Sequence, residues 1–411
     1  MVLTILAEQK LVCVKYKKYM KSNSQNLFRL LEKVKENLGD IPENIVKVFL
    51  NSPRHLFVDK FFDENELGEL IEINITEKNL DLYLDKIYED NSLGLAIDPE
   101  GKIYTSTISQ PTIVLNMLKK MQIEEGQTIL ETGTASGWNA VMMSKLTGDK
   151  GHVYSVELIS DLVVRARKKI KIQNIKNVSI IEGDGAFGVK SKLFDRIMFT
   201  VGSYDIPNDI YSQLKENGLL LMVLKIQGFF DCLILLKKLG NHLESISNSA
   251  CRFVPLAGQY AMNELDPVKL ESLDIWQKLK LEVVHEQEFW WGINTTSNRD
   301  AMLKISGVVS FLAIVEPEFK MFNVEEDTNF FGLIAEKEKS IVLWRNNKLT
   351  GYGNRKALSK IRASFELYLE LGMPSANCFN LKVYPVNHEI KLGKNQWLVK
   401  RRDSQFVWFL K

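Results

Sequence analysis

The chain has 411 residues, 45% of them apolar and 25% charged, with no long polar tract, so it reads as an ordinary folded protein large enough for two units. Fifty-three basic residues stand against fifty-one acidic ones, a formal net charge of +2, and the basic residues are dispersed, which gives no support to a nucleic-acid partner. Four cysteines (Cys13, Cys232, Cys251, Cys378) and five histidines lie far apart without CxxC, HxH or HExxH spacing, an argument against a disulfide framework or a metal site.

The opening MVLTILAEQKLVCV is too short an apolar run for a secretory signal and is interrupted by Glu8 and Lys10. No later run approaches the roughly 20 apolar residues of a membrane helix. A cytoplasmic protein without membrane contact is the expectation, and the sequence is silent on oligomeric state. Residues 20–50 then carry a helical period, with Leu27, Leu30, Leu31, Val34 and Leu38 on one stripe, a break at Ile41-Pro42, and Ile45, Val46, Val48 and Phe49 in a second short helix.

SPRHLFVD (52–59) follows, in which His55 reads as a packed histidine and Phe57 and Val58 as core. The Leu-, Ile-, Glu- and Asp-rich stretch to about residue 90 reads as an insertion or a lid. TSTISQPT (105–112) ends at a proline ahead of a helical pattern, so Ser109 or Thr112 is expected to cap that helix with its hydroxyl, with Pro111 near the first turn.

From residue 111 the pattern alternates. Helical segments at 112–121, 138–146, 160–173 and 206–215 lie between short apolar strands at 128–132, 152–157, 178–183, 196–201, 219–224 and 232–237. This is the βαβ rhythm of a doubly wound sheet, and strands this continuously apolar suit a parallel sheet covered on both faces. Past residue 240 the rhythm is lost: the apolar runs GVVSFLAIV (307–315) and SIVLWR (340–345) precede one clear helix at 354–371, ended by Gly372 and Pro374, and then FNLKVYPVNHEIKL and QFVWFLK. The organisation expected is an N-terminal helical lead-in and insertion (1–100), an α/β core (101–240) and a smaller C-terminal α+β domain (241–411). The adjacent Trp290 and Trp291 point to opposite faces of a strand, so one is expected in the core, and a peptide-binding face is the alternative to a purely structural pair.

ILETGTASGWNA (129–140) is a strand, a tight glycine turn and a helix start. Trp138 stands where a dinucleotide fingerprint needs its third glycine, so a nicotinamide cofactor fits poorly. Glu131, Glu157 and Asp184 close three consecutive strands, at the carboxyl ends where such sheets bind ligands. A diphosphate there would meet three like charges, each unscreened pair at about 4 Å costing roughly 1 to 4 kcal/mol. S-adenosylmethionine instead brings an ammonium, a sulfonium, a ribose diol and an adenine amine, all suited to acids and acceptors.

SPRHLFVD, TISQP, ILETGTASGWNA, EGDG and TVGSYDIP, in that order and at these intervals, resemble the protein L-isoaspartyl (D-aspartyl) O-methyltransferase family over roughly residues 25–240. The resemblance implies a Rossmann-like fold that transfers the methyl of S-adenosylmethionine to an Asp or isoAsp carboxylate of a protein or peptide. It assigns Glu131, Gly133, Thr134, Ala135 and Gly137 to the donor loop, Glu157 to the ribose, and Asp184 and Gly185 to the adenine side. It places Ser109 beside the acceptor carboxylate, with Thr107, Ile108, Gln110, Thr112, Val201, Gly202 and Ser203 on the substrate side. Ala135 replaces a usual glycine, Thr112 a usual histidine or aromatic, and the segment from Val201 to Tyr204 an alanine-rich one. The C-terminal end is similar to the extension of family members that act on ribosomally made peptides of lanthipeptide or ATP-grasp type, where an aspartate is methylated, cyclised to succinimide and opened to isoaspartate. A catalytically silent binding module is the remaining alternative.

Overall fold

The computed structural model describes residues 24–226, 231–262, 267–288, 298–323, 329–346 and 348–410, so the Trp290-Trp291 pair lies outside the described residues. Two compact units are formed: one contains the chain up to Val201 with Asp209–Met222 and Phe253–Gln259, the other Gly202–Asn208, Val223–Arg252 and the chain from Tyr260 onward.

The first unit opens with α1 (Ser24–Leu38) and α2 (Glu43–Leu50), whose buried residues Leu27, Leu30, Leu31, Val34, Ile45, Val48 and Phe49 follow the helical period of the sequence. SPRHLFVD forms a single 3-10 turn at Arg54–Phe57, with Phe57 and Val58 buried as expected. The stretch read as an insertion or lid, together with the residues up to 108, forms β1 (Lys60–Glu64), β2 (Leu70–Asn74), α3 (Leu80–Ile87), β3 (Leu93–Ile97) and β4 (Tyr104–Ile108). The four strands pair antiparallel in the order β2-β1-β3-β4. Each strand is only five residues long, and the apolar alternation of β1 and β2 is interrupted by exposed acids, which hides the pattern in the sequence.

Next come α4 (Pro111–Met121), β5 (Thr128–Thr132), α5 (Trp138–Thr147), β6 (His152–Glu157), α6 (Ser160–Ile172), β7 (Val178–Glu182), β8 (Phe194–Ser203), α7 (Asn208–Gln213) and β9 (Leu214–Leu224). Strands β8, β5, β6 and β7 are parallel in that order, with β9 beside β8. This is the α/β sheet that the strand rhythm predicts. The helix expected at 206–215 contracts, because Leu214 and Lys215 already belong to β9.

The second unit holds two sheets. Antiparallel β10 (Asp231–Leu239) and β11 (His242–Cys251) continue through the C-terminal strands, in the order β10-β11-β18-β20-β19. The other sheet is built from β12 (Val268–Lys269), β13 (Val283–Glu288), β14 (Phe319–Asn323), β15 (Asn329–Ala335), β16 (Ser340–Arg345) and β17 (Lys348–Tyr352). Its helices are α8 (Asp274–Leu279), α9 (Asn298–Val315) and α10 (Lys356–Glu370), and the chain closes with β18 (Phe379–Pro385), β19 (Gln396–Lys400) and β20 (Ser404–Leu410). Leu270, Trp276, Phe322, Ile341 and Leu343 form a core cluster on this sheet. GVVSFLAIV lies in α9, with Val308, Val309, Phe311, Leu312 and Ile314 all buried, so that a helix covered on most sides shows no alternation for the sequence to reveal.

Arg54 fixes the first unit internally. It is fully buried, and its Nη1 donates to the carbonyls of Ile87 (2.9 Å) and Glu89 (3.1 Å), its Nη2 to those of Asn91 (2.7 Å), Ile108 (3.1 Å) and Ser109 (3.0 Å). Burial pushes its pKa down to about 9, against the opposing charge of Asp90. Around it, the carbonyl of Ser52 accepts from Trp138 Nε1 at 2.8 Å, and Asp59 accepts from Arg165 and Lys169 of α6. Burial acts to raise the Asp59 carboxyl, but those two cations hold it well below the usual range. His55 is turned to the Tyr88 hydroxyl at 2.6 Å, and burial lowers its pKa to about 4, so it is neutral at pH 7, as a packed histidine should be.

Arg54→Met removes donors from five carbonyls at once. Urea unfolding should show a loss of about 3 to 5 kcal/mol, the range in which buried groups are left without partners.

Candidate active site

A cleft of about 910 Å³ opens at the carboxyl ends of β5 and β6, lined by residues of β4, the turn after β5, the end of β6, Gly185, Thr200-Val201 and the segment Val254 to Ala257. The turn has the backbone the sequence calls for. Gly133 (φ 96°) has left-handed backbone, and a Cβ on it would come within 2.5 Å of Thr200 Oγ1 and 3.1 Å of Val201 Cγ1, so only glycine fits. Ala135 adopts φ 48° despite its methyl, at a strain of roughly 1 to 2 kcal/mol. Its amide donates to Glu157 Oε2 at 2.8 Å, which ties the strained turn to the end of β6.

The three acids are placed differently from one another. Glu157 sits in the cleft wall, with Oε1 accepting from Ile159 N at 3.0 Å; each oxygen keeps a lone pair for a diol. Glu131 is fully buried: its oxygens accept from Asn139 Nδ2 (2.7 Å) and Ser155 Oγ (2.5 Å). With its proton committed to Glu131, Ser155 accepts from Thr134 Oγ1 at 2.6 Å, so Glu131 organises the donor turn through Asn139 and a serine-threonine chain. Asp184 does not line the cleft. One oxygen accepts from Ala186 N (2.9 Å) and the other from Gln259 N (2.8 Å), and Gly258 (φ 93°) packs so close that a Cβ would fall 2.3 Å from that carboxylate. Asp184 therefore fastens the Phe253–Gln259 segment, whose Val254, Pro255, Leu256 and Ala257 supply an apolar wall that strand and motif reading missed.

The acceptor side is set by β4 and the start of α4. Thr107, Ile108, Ser109 and Val201 line the cleft. Gln110 and Thr112 turn away: Asp90 accepts from Thr112 N (2.8 Å), Thr112 Oγ1 (2.6 Å) and Gln110 Nε2 (3.2 Å). Contrary to expectation, no hydroxyl caps α4. Its N-cap residue is Gln110 without a side-chain cap bond, Pro111 occupies the first turn, and the acceptor comes from Asp90, a remote carboxylate well placed against the helix dipole. Ser109 is thereby released from capping; its carbonyl is held by Arg54, and its hydroxyl makes no hydrogen bond among the described residues. Gly202 and Ser203 belong to the second unit, where Gly202 packs on the Lys225 stem and the Ser203 hydroxyl donates to the carbonyl of Asp205 at 2.7 Å.

A model of the family described as protein-L-isoaspartate(D-aspartate) O-methyltransferase matches residues 24–261, more than half of the chain. The chain belongs to the protein-L-isoaspartate(D-aspartate) O-methyltransferase family. Protein-L-isoaspartate O-methyltransferases similar to it include that of Dictyoglomus thermophilum, 29% identical over 251 residues covering 61% of this chain and 99% of that one, and that of Pyrococcus horikoshii, 31% identical over 225 residues covering 54% and 88%. A solved protein-L-isoaspartate O-methyltransferase structure superposes with a TM-score of 0.51 at 21% identity, covering 87% of this chain and 96% of that chain, which shows the fold. The first unit is thus the Rossmann-like sheet of an S-adenosylmethionine-dependent methyltransferase, and the match reaches past the apolar wall at Phe253–Gln259.

S-adenosylmethionine is the methyl donor of this family, and the cleft suits it. Among the described residues its lining includes no lysine, arginine or histidine to attract a diphosphate, and Glu157 meets the needs of a diol. No helix among the described residues is long and apolar enough to cross a membrane.

Burial pushes the Glu131 pKa up to about 7, against the hydrogen bonds from Ser155 and Asn139, with Glu157 adding to the rise. The folded state then keeps a proton that the unfolded chain releases near 4.5, so stability falls as pH rises from about 4.5 to 7. In Glu131→Gln that part of the fall should vanish: unfolding free energies of the two proteins, measured across this window, should diverge in favour of the variant as pH rises.

Proposed function

We propose that the enzyme methylates the carboxylate of an isoaspartyl or aspartyl residue presented by a protein or peptide, with Ser109 as the residue that orients the acceptor. The observation that carries this reading is the hydroxyl of Ser109 in the cleft wall, which makes no hydrogen bond among the described residues and is held in place by the Arg54 bond to its carbonyl while Asp90 does the capping.

S-adenosylmethionine supplies an electrophilic methyl group when bound. The acceptor is already ionised at neutral pH, since a free aspartyl carboxyl titrates near 4, and needs no general base. The cleft lining offers none: it has no histidine or lysine, and His55 is neutral and turned to Tyr88. The chain's contribution is alignment and exclusion of water, which together are worth roughly 7 to 11 kcal/mol in well-oriented reactions. Ser109 Oγ donates to one acceptor oxygen and leaves the other to attack; Ile108, Val201 and the wall from Val254 to Ala257 keep water out. The likeness of the C-terminal end to family members that act on ribosomally made peptides supports a dedicated acceptor peptide as the second reading, with aspartate rather than isoaspartate as the methylated residue.

Mass spectrometry of an isoaspartyl peptide and its aspartyl twin after incubation with enzyme and donor should show a base-labile gain of one methylene on the isoaspartyl peptide. Gain on the aspartyl twin alone would favour the dedicated-peptide reading; gain on neither, with S-adenosylhomocysteine still bound, would reduce the chain to a binding module. Ser109→Ala should lower methyl transfer on the order of 10- to 100-fold, with S-adenosylhomocysteine affinity changed by less than about twofold. Equal loss of both would make Ser109 a structural residue.

A further inference from the structure

Glu131 lines the cleft and is nevertheless fully buried, with neighbours that are neutral or of its own sign. In the sheet it lies between Ser155 of β6 and Met198 of β8. Ser155 Oγ donates to its Oε2 at 2.5 Å, and Asn139 Nδ2 of α5 donates to its Oε1 at 2.7 Å. From α4 the cleft receives only the apolar Val114 and Met117 beside the proline turn. Arg196 of β8 is engaged by the carbonyls of Met121 and Gln122, and Asp184 by the amides of Ala186 and Gln259. The one charge acting on Glu131 among the described residues is that of Glu157.

Asn139 records this isolation. Its Nδ2 also donates to Met198 Sδ at 3.2 Å, so both amide hydrogens are used, while its Oδ1 is buried with no partner. That orientation serves an ionised Glu131. A protonated Glu131 donates instead to Oδ1 of the same amide turned over, and the orphaned acceptor is then satisfied. Burial pushes the carboxyl up to about 7, with Glu157 adding to the rise, and the orphaned Oδ1 is a further cost that only the ionised form carries.

We infer that Glu131, together with Asn139, distinguishes the methyl donor from its demethylated product by charge: the carboxyl releases a proton when the donor enters the cleft and recovers one when only the product remains. S-adenosylmethionine carries a sulfonium that S-adenosylhomocysteine lacks, so the two differ by one positive charge in a cleft whose buried carboxylate has no cation of its own. Methyl transfer forms the bond between acceptor oxygen and methyl carbon, breaks the bond between that carbon and sulfur, and leaves the electron pair on sulfur. The acceptor's negative charge and the donor's positive charge disappear together, the ester leaves neutral, and Glu131 takes its proton back from solvent. The carboxyl is then neutral, and its hold on the spent product weakens. The inference depends on the donor alone and not on which carboxylate accepts the methyl group.

Isothermal titration calorimetry of the full chain with S-adenosylmethionine and, separately, S-adenosylhomocysteine, in two buffers of different ionisation enthalpy, counts the protons released on binding. At pH 6 the donor should release about half a proton more than the product. The ratio of donor to product affinity should rise about fivefold from pH 5.5 to pH 7, because the donor must displace a proton that the empty site carries below about pH 7. Glu131→Gln should remove both effects, with its melting temperature confirming that it folds. Ser155→Ala keeps the carboxyl but removes one of its donors, and should carry the rise to higher pH. Equal proton counts for the two ligands in the wild type, or a difference that survives in Glu131→Gln, overturns the inference.

Discussion

One buried arginine holds the acceptor side of the methyltransferase unit together. Arg54 gathers carbonyls from the end of α3, from the loop before β3 and from Ile108 and Ser109 at the end of β4. A carbonyl in a dry interior demands a donor, and five of them converge on two nitrogens of a single planar group. Trp138 meets the tilted ring of Phe49 and has the Arg54 guanidinium 5.6 Å from its indole, so the group that sets the position of Ser109 also abuts the first residue of α5. The two halves of the reaction site therefore share a mechanical reference.

Electrostatics divides labour among the acids. Glu157 is partly reachable in the cleft wall, while Glu131 and Asp184 act through hydrogen bonds to the backbone and side chains that shape it. A buried carboxylate in a cleft lining can preorganise a turn through its hydrogen-bond partners, and the raised pKa of Glu131 is the thermodynamic mark of that placement.

The parallel strands, the helices between them and the glycine turn were legible in the sequence because each obeys a local rule: near-continuous apolar runs for β5, β6 and β8, positive φ at Gly133 and Gly137. The clustering of TISQP with the donor turn was legible only through family resemblance. What stayed hidden depends on contacts between residues far apart in the chain. Nothing near Thr112 announces that Asp90, twenty-two positions earlier, supplies its cap. Residues 60–108 looked irregular because five-residue strands with exposed acids do not sustain an alternation. GVVSFLAIV carried no period because nearly all of α9's last turns are buried.

The Phe253–Gln259 segment has an implication for how such a chain can be built or rearranged. It returns to the methyltransferase unit only after the chain has passed through β10 and β11, and it is fastened there by the Asp184 carboxylate, which accepts from Gln259 N beside Gly258. The extension beyond residue 261 therefore follows this return segment and not the last strand of the methyltransferase sheet. A recombination event that swaps the region beyond residue 240 must carry this short return segment with it, in register with Asp184, or the donor cleft loses one of its walls.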